Sequence, residues 1–122
     1  MAKRILITDD QREFVEVMKT RFEKEGYEIA TAYDGEECLK KVKAEPPDLI
    51  IMDITMPKMD GYTVVRGIKA DEKIKDIPII ILTGRDQMED IFKMEGVKEY
   101  VVKPFEYEDL LEKIKKIFDD SV

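Results

Sequence analysis

The chain has 122 residues, with 21 Lys and Arg against 28 Asp and Glu, for a formal net charge of −7. That length suits one compact domain with its own core, and the acidic balance disfavours generic attraction to nucleic acid or anionic lipid. The longest apolar run, Ile77 to Leu82, is broken by Pro78 and far short of a membrane span, and Met1-Ala2-Lys3-Arg4 leads directly into a strand without a long apolar segment and cleavage site, so a cytoplasmic protein is expected.

In chain order, Lys3 to Thr8 is a short apolar strand that stops at the acid pair Asp9-Asp10. A helix follows over Arg12 to Glu25, with Phe14, Val17, Met18 and Phe22 at three-to-four spacing and Gly26 as a left-handed cap. Tyr27 to Ala32 alternates more gently, as a half-covered edge strand does. Asp34 is a candidate N-cap for a helix through Lys43, which turns Cys38, Leu39 and Val42 inward and cannot pass Pro46-Pro47.

Leu49 to Met52 is a third apolar strand. It ends on Asp53 and gives way to Pro57 and Asp60-Gly61, residues of turns and helix starts. A helix then runs from Gly61 to about Ala70, followed by the strand Ile77 to Leu82, which ends at Thr83-Gly84. A short helix is expected over about 86–95. Val97 to Val102 makes a fifth strand, broken at Lys103-Pro104, and a last helix runs from about Glu106 to Phe118. Cys38 is the only cysteine and there is no histidine, which excludes an intramolecular disulfide and the usual zinc ligand sets. Cys38 therefore reads as a small core residue.

Five strands alternating with five helices predict one α/β domain over residues 1–122, a flavodoxin-like doubly wound parallel sheet of order 2-1-3-4-5. Ligands in such sheets bind beyond the carboxyl ends of the strands. Those ends carry Asp9, Asp10, Asp53, Thr83 and Lys103. Two unit charges about 4 Å apart cost on the order of 4 kcal/mol at an effective dielectric of 20, so three crowded acids call for a cation. An all-oxygen ligand set without His points to Mg2+. Magnesium among carboxylates, with an ammonium and a hydroxyl opposite, suits stabilisation of a transferring phosphoryl group. A carboxylate can itself be the nucleophile, and Asp53 is centrally placed for that.

Read singly, each residue has an ordinary explanation: Asp10 as a cap of the first helix, Asp53 and Asp60 as turn acids, Lys103 as a solvated charge. Jointly, and in this order, Asp9-Asp10, Asp53 with Pro57 and Asp60-Gly61, Thr83, and Lys103-Pro104-Phe105 resemble the response-regulator receiver domain of two-component signalling. The resemblance covers essentially the whole chain. It implies that Asp53 accepts a phosphoryl group from a sensor histidine kinase, a histidine phosphotransfer protein or a small donor such as acetyl phosphate. It also implies that Asp9, Asp10, Asp53 and the backbone carbonyl of Thr55 hold Mg2+, that Lys103 pairs with a phosphoryl oxygen, that the Lys103-Pro104 bond is cis, and that Thr83 and Tyr100 switch together. The domain would then be a phosphoacceptor that catalyses its own transfer and slow hydrolysis rather than an enzyme acting on a separate substrate.

The same resemblance, with no effector after the last helix, gives the expectation of a stand-alone regulator, monomeric or dimerising when phosphorylated, that acts on a downstream protein and not directly on nucleic acid or membrane. Two departures from the family pattern stand out. The span from Thr83 to Lys103 is shortened, and Gly84 replaces a small Ala, which loosens the switch loop. Thr55 and Arg85 match the positions that flank the attacking water, and neither activates water well, so a long-lived phosphoryl group is expected. An aspartyl phosphohydrolase of the haloacid-dehalogenase kind would need a second Asp where Thr55 stands. A flavin or nucleotide carrier would need a phosphate loop where Asp9-Asp10 stands. A silent docking module stays open at this level.

Overall fold

A computed structural model of the chain describes residues 2–54, 56, 58–84, 97 and 99–120. Its elements are β1 (Arg4–Thr8), α1 (Arg12–Lys24), β2 (Glu28–Ala32), α2 (Gly35–Ala44), β3 (Leu49–Asp53), α3 (Gly61–Lys69), β4 (Ile79–Thr83), β5 (Glu99–Val102) and α4 (Tyr107–Asp120). The helix expected over about 86–95 lies outside the described residues, as do Thr55 and Arg85. All strand pairs are parallel, and the order is β2-β1-β3-β4-β5.

The continuous apolar runs are explained by burial on both faces. Ile5, Ile7, Leu49, Ile51, Ile80 and Leu82 point to the side covered by α1 and α4, where Val15, Phe22, Leu110 and Ile114 meet them. Leu6, Ile50, Met52, Ile79 and Ile81 point to the other side, against Cys38 and Val42 of α2 and Val64 and Ile68 of α3. Each such side chain contributes roughly 1.5–3 kcal/mol on leaving water, which outweighs the modest strand and helix propensities involved. Among the described residues no helix is long and apolar enough to cross a membrane.

Local signals set the element ends. Gly26 has φ +97, and the N–H groups of Gly26 and Tyr27 donate to Glu23 O and Phe22 O, closing α1 with a Schellman turn. Asp34 and Asp60 cap α2 and α3 by accepting from the N–H groups of Glu37 and Thr63. β4 begins at Ile79, two residues later than expected. Pro78 has no N–H to give a neighbouring strand, though its carbonyl still accepts from Ile50 N. The fifth strand is likewise shorter than expected, Glu99–Val102.

Candidate metal centre

Parallel register brings the carboxyl ends of β1, β3, β4 and β5 to one rim. Thr8 pairs with Met52, Asp53 with Leu82, and Thr83 with Val102, so the residues just past each strand share one level. The N–H of Lys103 donates to Thr83 O at 2.7 Å and holds the end of β5 at that level. The Lys103-Pro104 bond is cis.

Ligand oxygens of Asp9, Asp10 and Asp53 all lie within 4.8 Å of one another. Their surroundings differ. The Asp9 side chain is 0% exposed, accepts from Gln11 N at 3.0 Å through Oδ1, and accepts from Lys103 Nζ at 2.8 Å through Oδ2. Asp10 is exposed. The ordinary explanation for Asp10 as a helix cap does not hold, because the N-cap of α1 is Gln11, without a side-chain cap bond. Asp53 is 14% exposed, with Oδ2 at 3.8 Å from Lys103 Nζ.

Among the described residues, three carboxylates and one ammonium leave a local charge of about −2, part of it desolvated at Asp9, which a divalent cation would balance. The donors are all oxygen, so the set fits Mg2+ better than zinc or copper. Asp9, Asp10 and Asp53 would hold the ion, and the further ligand expected from Thr55 lies outside the described residues. Lys103 already occupies one Asp9 oxygen and Gln11 N the other.

Thr83 is fully buried at the end of β4, and its hydroxyl donates to Gly84 O at 3.0 Å. Tyr100 lies on β5, half-buried against the cluster under α2 and α3. Beneath the rim, Cys38 is buried, and desolvation pushes its thiol up to about 11, the Thr8 hydroxyl working the other way.

Three features of this rim are absent from the sequence reading. Phe14 reads there only as a core position, yet its ring centre lies 5.1 Å from Lys103 Nζ. Lys58 has φ +66, and its ammonium lies 3.6 Å from Asp34 Oδ2, tying the β3–α3 loop to the start of α2. A Cβ on Gly35 would stand 1.9 Å from Met59 O, so only glycine lets that loop and α2 approach so closely. An aromatic one turn after an acid pair was the available signal for the first; for the other two no local signal exists.

Comparison with known proteins places this geometry. The family model of the response regulator receiver domain matches residues 5–115. The chain is similar to the alkaline phosphatase synthesis transcriptional regulatory protein PhoP of Bacillus subtilis, 37% identical over 99% of this chain and 50% of that protein. It spans about half the length of the curated relatives it matches. Among solved structures it is similar to the Francisella response regulator 1452 receiver domain, with TM-score 0.89 and 26% identity over 98% of this chain and 99% of that one. It is also similar to the response regulator protein TrrA of Thermotoga maritima, solved in complex with Mg(2+)-BeF, with TM-score 0.83 and 43% identity over 93% and 97% of the two chains.

Proposed function

The chain belongs to the response regulator receiver domain family, and from that premise we propose that it is a Mg2+-dependent phosphoryl acceptor of two-component signalling, with Asp53 as the accepting group. The observation that carries the reading is the placement of Asp53 at the tip of β3. Its carboxylate lies 3.8 Å from the Lys103 ammonium and within 4.8 Å of the two other acids.

An Asp53 oxygen attacks phosphorus, the P–N bond of a phosphohistidine or the P–O bond of acetyl phosphate breaks, and an acyl phosphate forms. The donor comes from a sensor histidine kinase or a histidine phosphotransfer protein. Bound Mg2+ supplies charge neutralisation at the phosphoryl oxygens. Lys103 shifts from Asp9 toward the new phosphoryl group, a move open to an ammonium that acts as a point charge on a flexible stem. Thr83 exchanges its bond to Gly84 O for one to a phosphoryl oxygen, and Tyr100 follows into the space this leaves. The resulting population shift is read by a downstream protein, and the domain works as a monomer that dimerises when phosphorylated.

Neither Thr55 nor Arg85 offers a carboxylate or amide to activate water, so hydrolysis of the acyl phosphate is slow. A cytoplasmic location belongs to the same reading. The acidic charge of this domain supports a protein target in place of nucleic acid.

Intact mass after incubation with acetyl phosphate tests the acceptor. One added phosphoryl group that requires both Mg2+ and Asp53, and is absent from Asp53→Asn, is expected. No gain with acetyl phosphate, a phosphoramidate or a phosphorylated kinase would overturn the reading.

A further inference from the structure

Lys103 carries three N–H donors. One meets Asp9 at 2.8 Å and the Asp53 carboxylate lies at 3.8 Å. On a third side the ammonium faces the ring of Phe14, 5.1 Å from its centre. Phe14 is half-buried on the first turn of α1, directly after the acid pair, so one short segment supplies both the acids and the ring. Phe105, two residues after Lys103, meets Phe14 edge-on at 6.1 Å and 86°, which fixes the ring plane.

We propose that Phe14 is a positioning residue for Lys103, holding its ammonium over the acid rim by a cation–π contact. The inference rests on the acceptor reading above. Its physical basis is the kind of partner an aromatic face is. A Lys stem has high rotamer entropy, and an ammonium turned to water would be lost to the site. A carboxylate or carbonyl in place of the ring would hold the ammonium but compete with a phosphoryl oxygen for its N–H donors. The ring attracts the charge without accepting a strong hydrogen bond, so Lys103 stays aimed inward and remains free to move from Asp9 to the phosphoryl group. Because the Lys103 side chain is 27% exposed, the contact is partly shielded from water, which strengthens it.

The test is a double-mutant cycle on the full chain with acetyl phosphate and Mg2+, read as the rate of mass gain at Asp53. Phe14→Leu is expected to slow that rate by roughly three- to tenfold, the range a partly shielded cation–π contact spans. Phe14→Tyr keeps the ring face and should stay near wild type. In a Lys103→Met background Phe14→Leu should cost nothing further, since Phe14 acts through the ammonium. An equal loss in both backgrounds, or no loss in either, overturns the proposal. The NMR shift of the Lys103 ε-methylene provides a readout independent of phosphorylation: a ring-current upfield shift lost in Phe14→Leu supports the contact, and an ordinary lysine shift in wild type overturns it. If wild type accepts no phosphoryl group from any donor, the acceptor reading falls, and the ε-methylene shift still decides whether Phe14 holds Lys103.

Discussion

The two ends of the sheet carry the same charge inventory and use it in opposite ways. At the carboxyl end Asp9, Asp10 and Asp53 surround Lys103. At the amino end Glu28, Glu45 and Asp48 surround Arg4, whose Nη1 donates to Glu28 at 2.8 Å and Glu45 at 2.9 Å while its backbone N–H donates to Asp48 at 2.8 Å. Among the described residues, both are three acids to one cation. Glu28 and Glu45 are 60% and 71% exposed, so water screens their repulsion and the guanidinium pins β2 and the end of α2 to β1. Asp9 is 0% exposed, so the same excess charge at the rim is retained as an electrostatic demand for a cation. The choice of cation differs for a related reason. A planar guanidinium suits a fixed clasp, and a compact ammonium on a flexible stem suits the exchange of partners proposed for Lys103.

The largest expected effect separates the two clusters outright. Asp9→Asn should cut phosphoryl acceptance at least ~100-fold and abolish the rise in Tm, roughly 2–5 °C, that millimolar Mg2+ gives wild type, whereas Glu45→Gln should keep both. Mass spectrometry and thermal melts with and without chelator check this; a Mg2+ effect sensitive to Glu45 would break the comparison.

Burial under the rim also predicts a pH effect. The Cys38 thiol, ordinarily near 9.0, is pushed up to about 11 in the fold. The unfolded chain therefore loses this proton first, the folded state binds more protons between pH 9 and 11, and stability falls across that window while being fully present below pH 9. The cost is on the order of 2–3 kcal/mol. Urea denaturation should show a steeper loss over that range in wild type than in Cys38→Ala, and parallel curves would refute the assignment.

A smaller effect has the opposite sign. In metal-free protein, Asp53→Asn removes one of three repelling charges and should raise Tm by about 2–4 °C, although it removes the proposed acceptor. Glu28→Gln at the other end should lower it. The smallest change expected is Arg4→Lys, which shortens the reach of the Nη1 that donates to both Glu28 and Glu45 and costs about 1 kcal/mol or less in denaturant melts, shrinking further in high salt. A loss of several kcal/mol would mean that the amino-end cluster is as desolvated as the rim.

Much of the molecule was legible in the sequence because its signals are local. Apolar runs ending in Asp9, Asp53 and Thr83, the glycine stop at Gly26, and the capping acids Asp34 and Asp60 each act on their immediate neighbours, and the described strands and helices follow them within two residues or so. The acid constellation was legible too, since parallel strands deliver their carboxyl ends to one rim whatever their exact lengths. The run Ile77 to Leu82 was read two residues too early at its start because ladder pairing, and not apolar character, decides where a strand begins.

Three things were decided only by the fold. Asp9 and Asp10 are chemically identical neighbours, and which one is buried beside Lys103 depends on how β1 enters α1 beneath the loop after β5. Gly35 must lack a side chain because Met59 O stands where its Cβ would be, a contact across 24 positions of chain. Phe14 meets Lys103 from 89 positions away, and its pattern in the sequence is that of any core aromatic. Sequence fixes periodicity and chemistry, which are properties of short segments. Desolvation, close approach and the partner of an ammonium depend on distances between segments, and those exist only once the sheet is assembled.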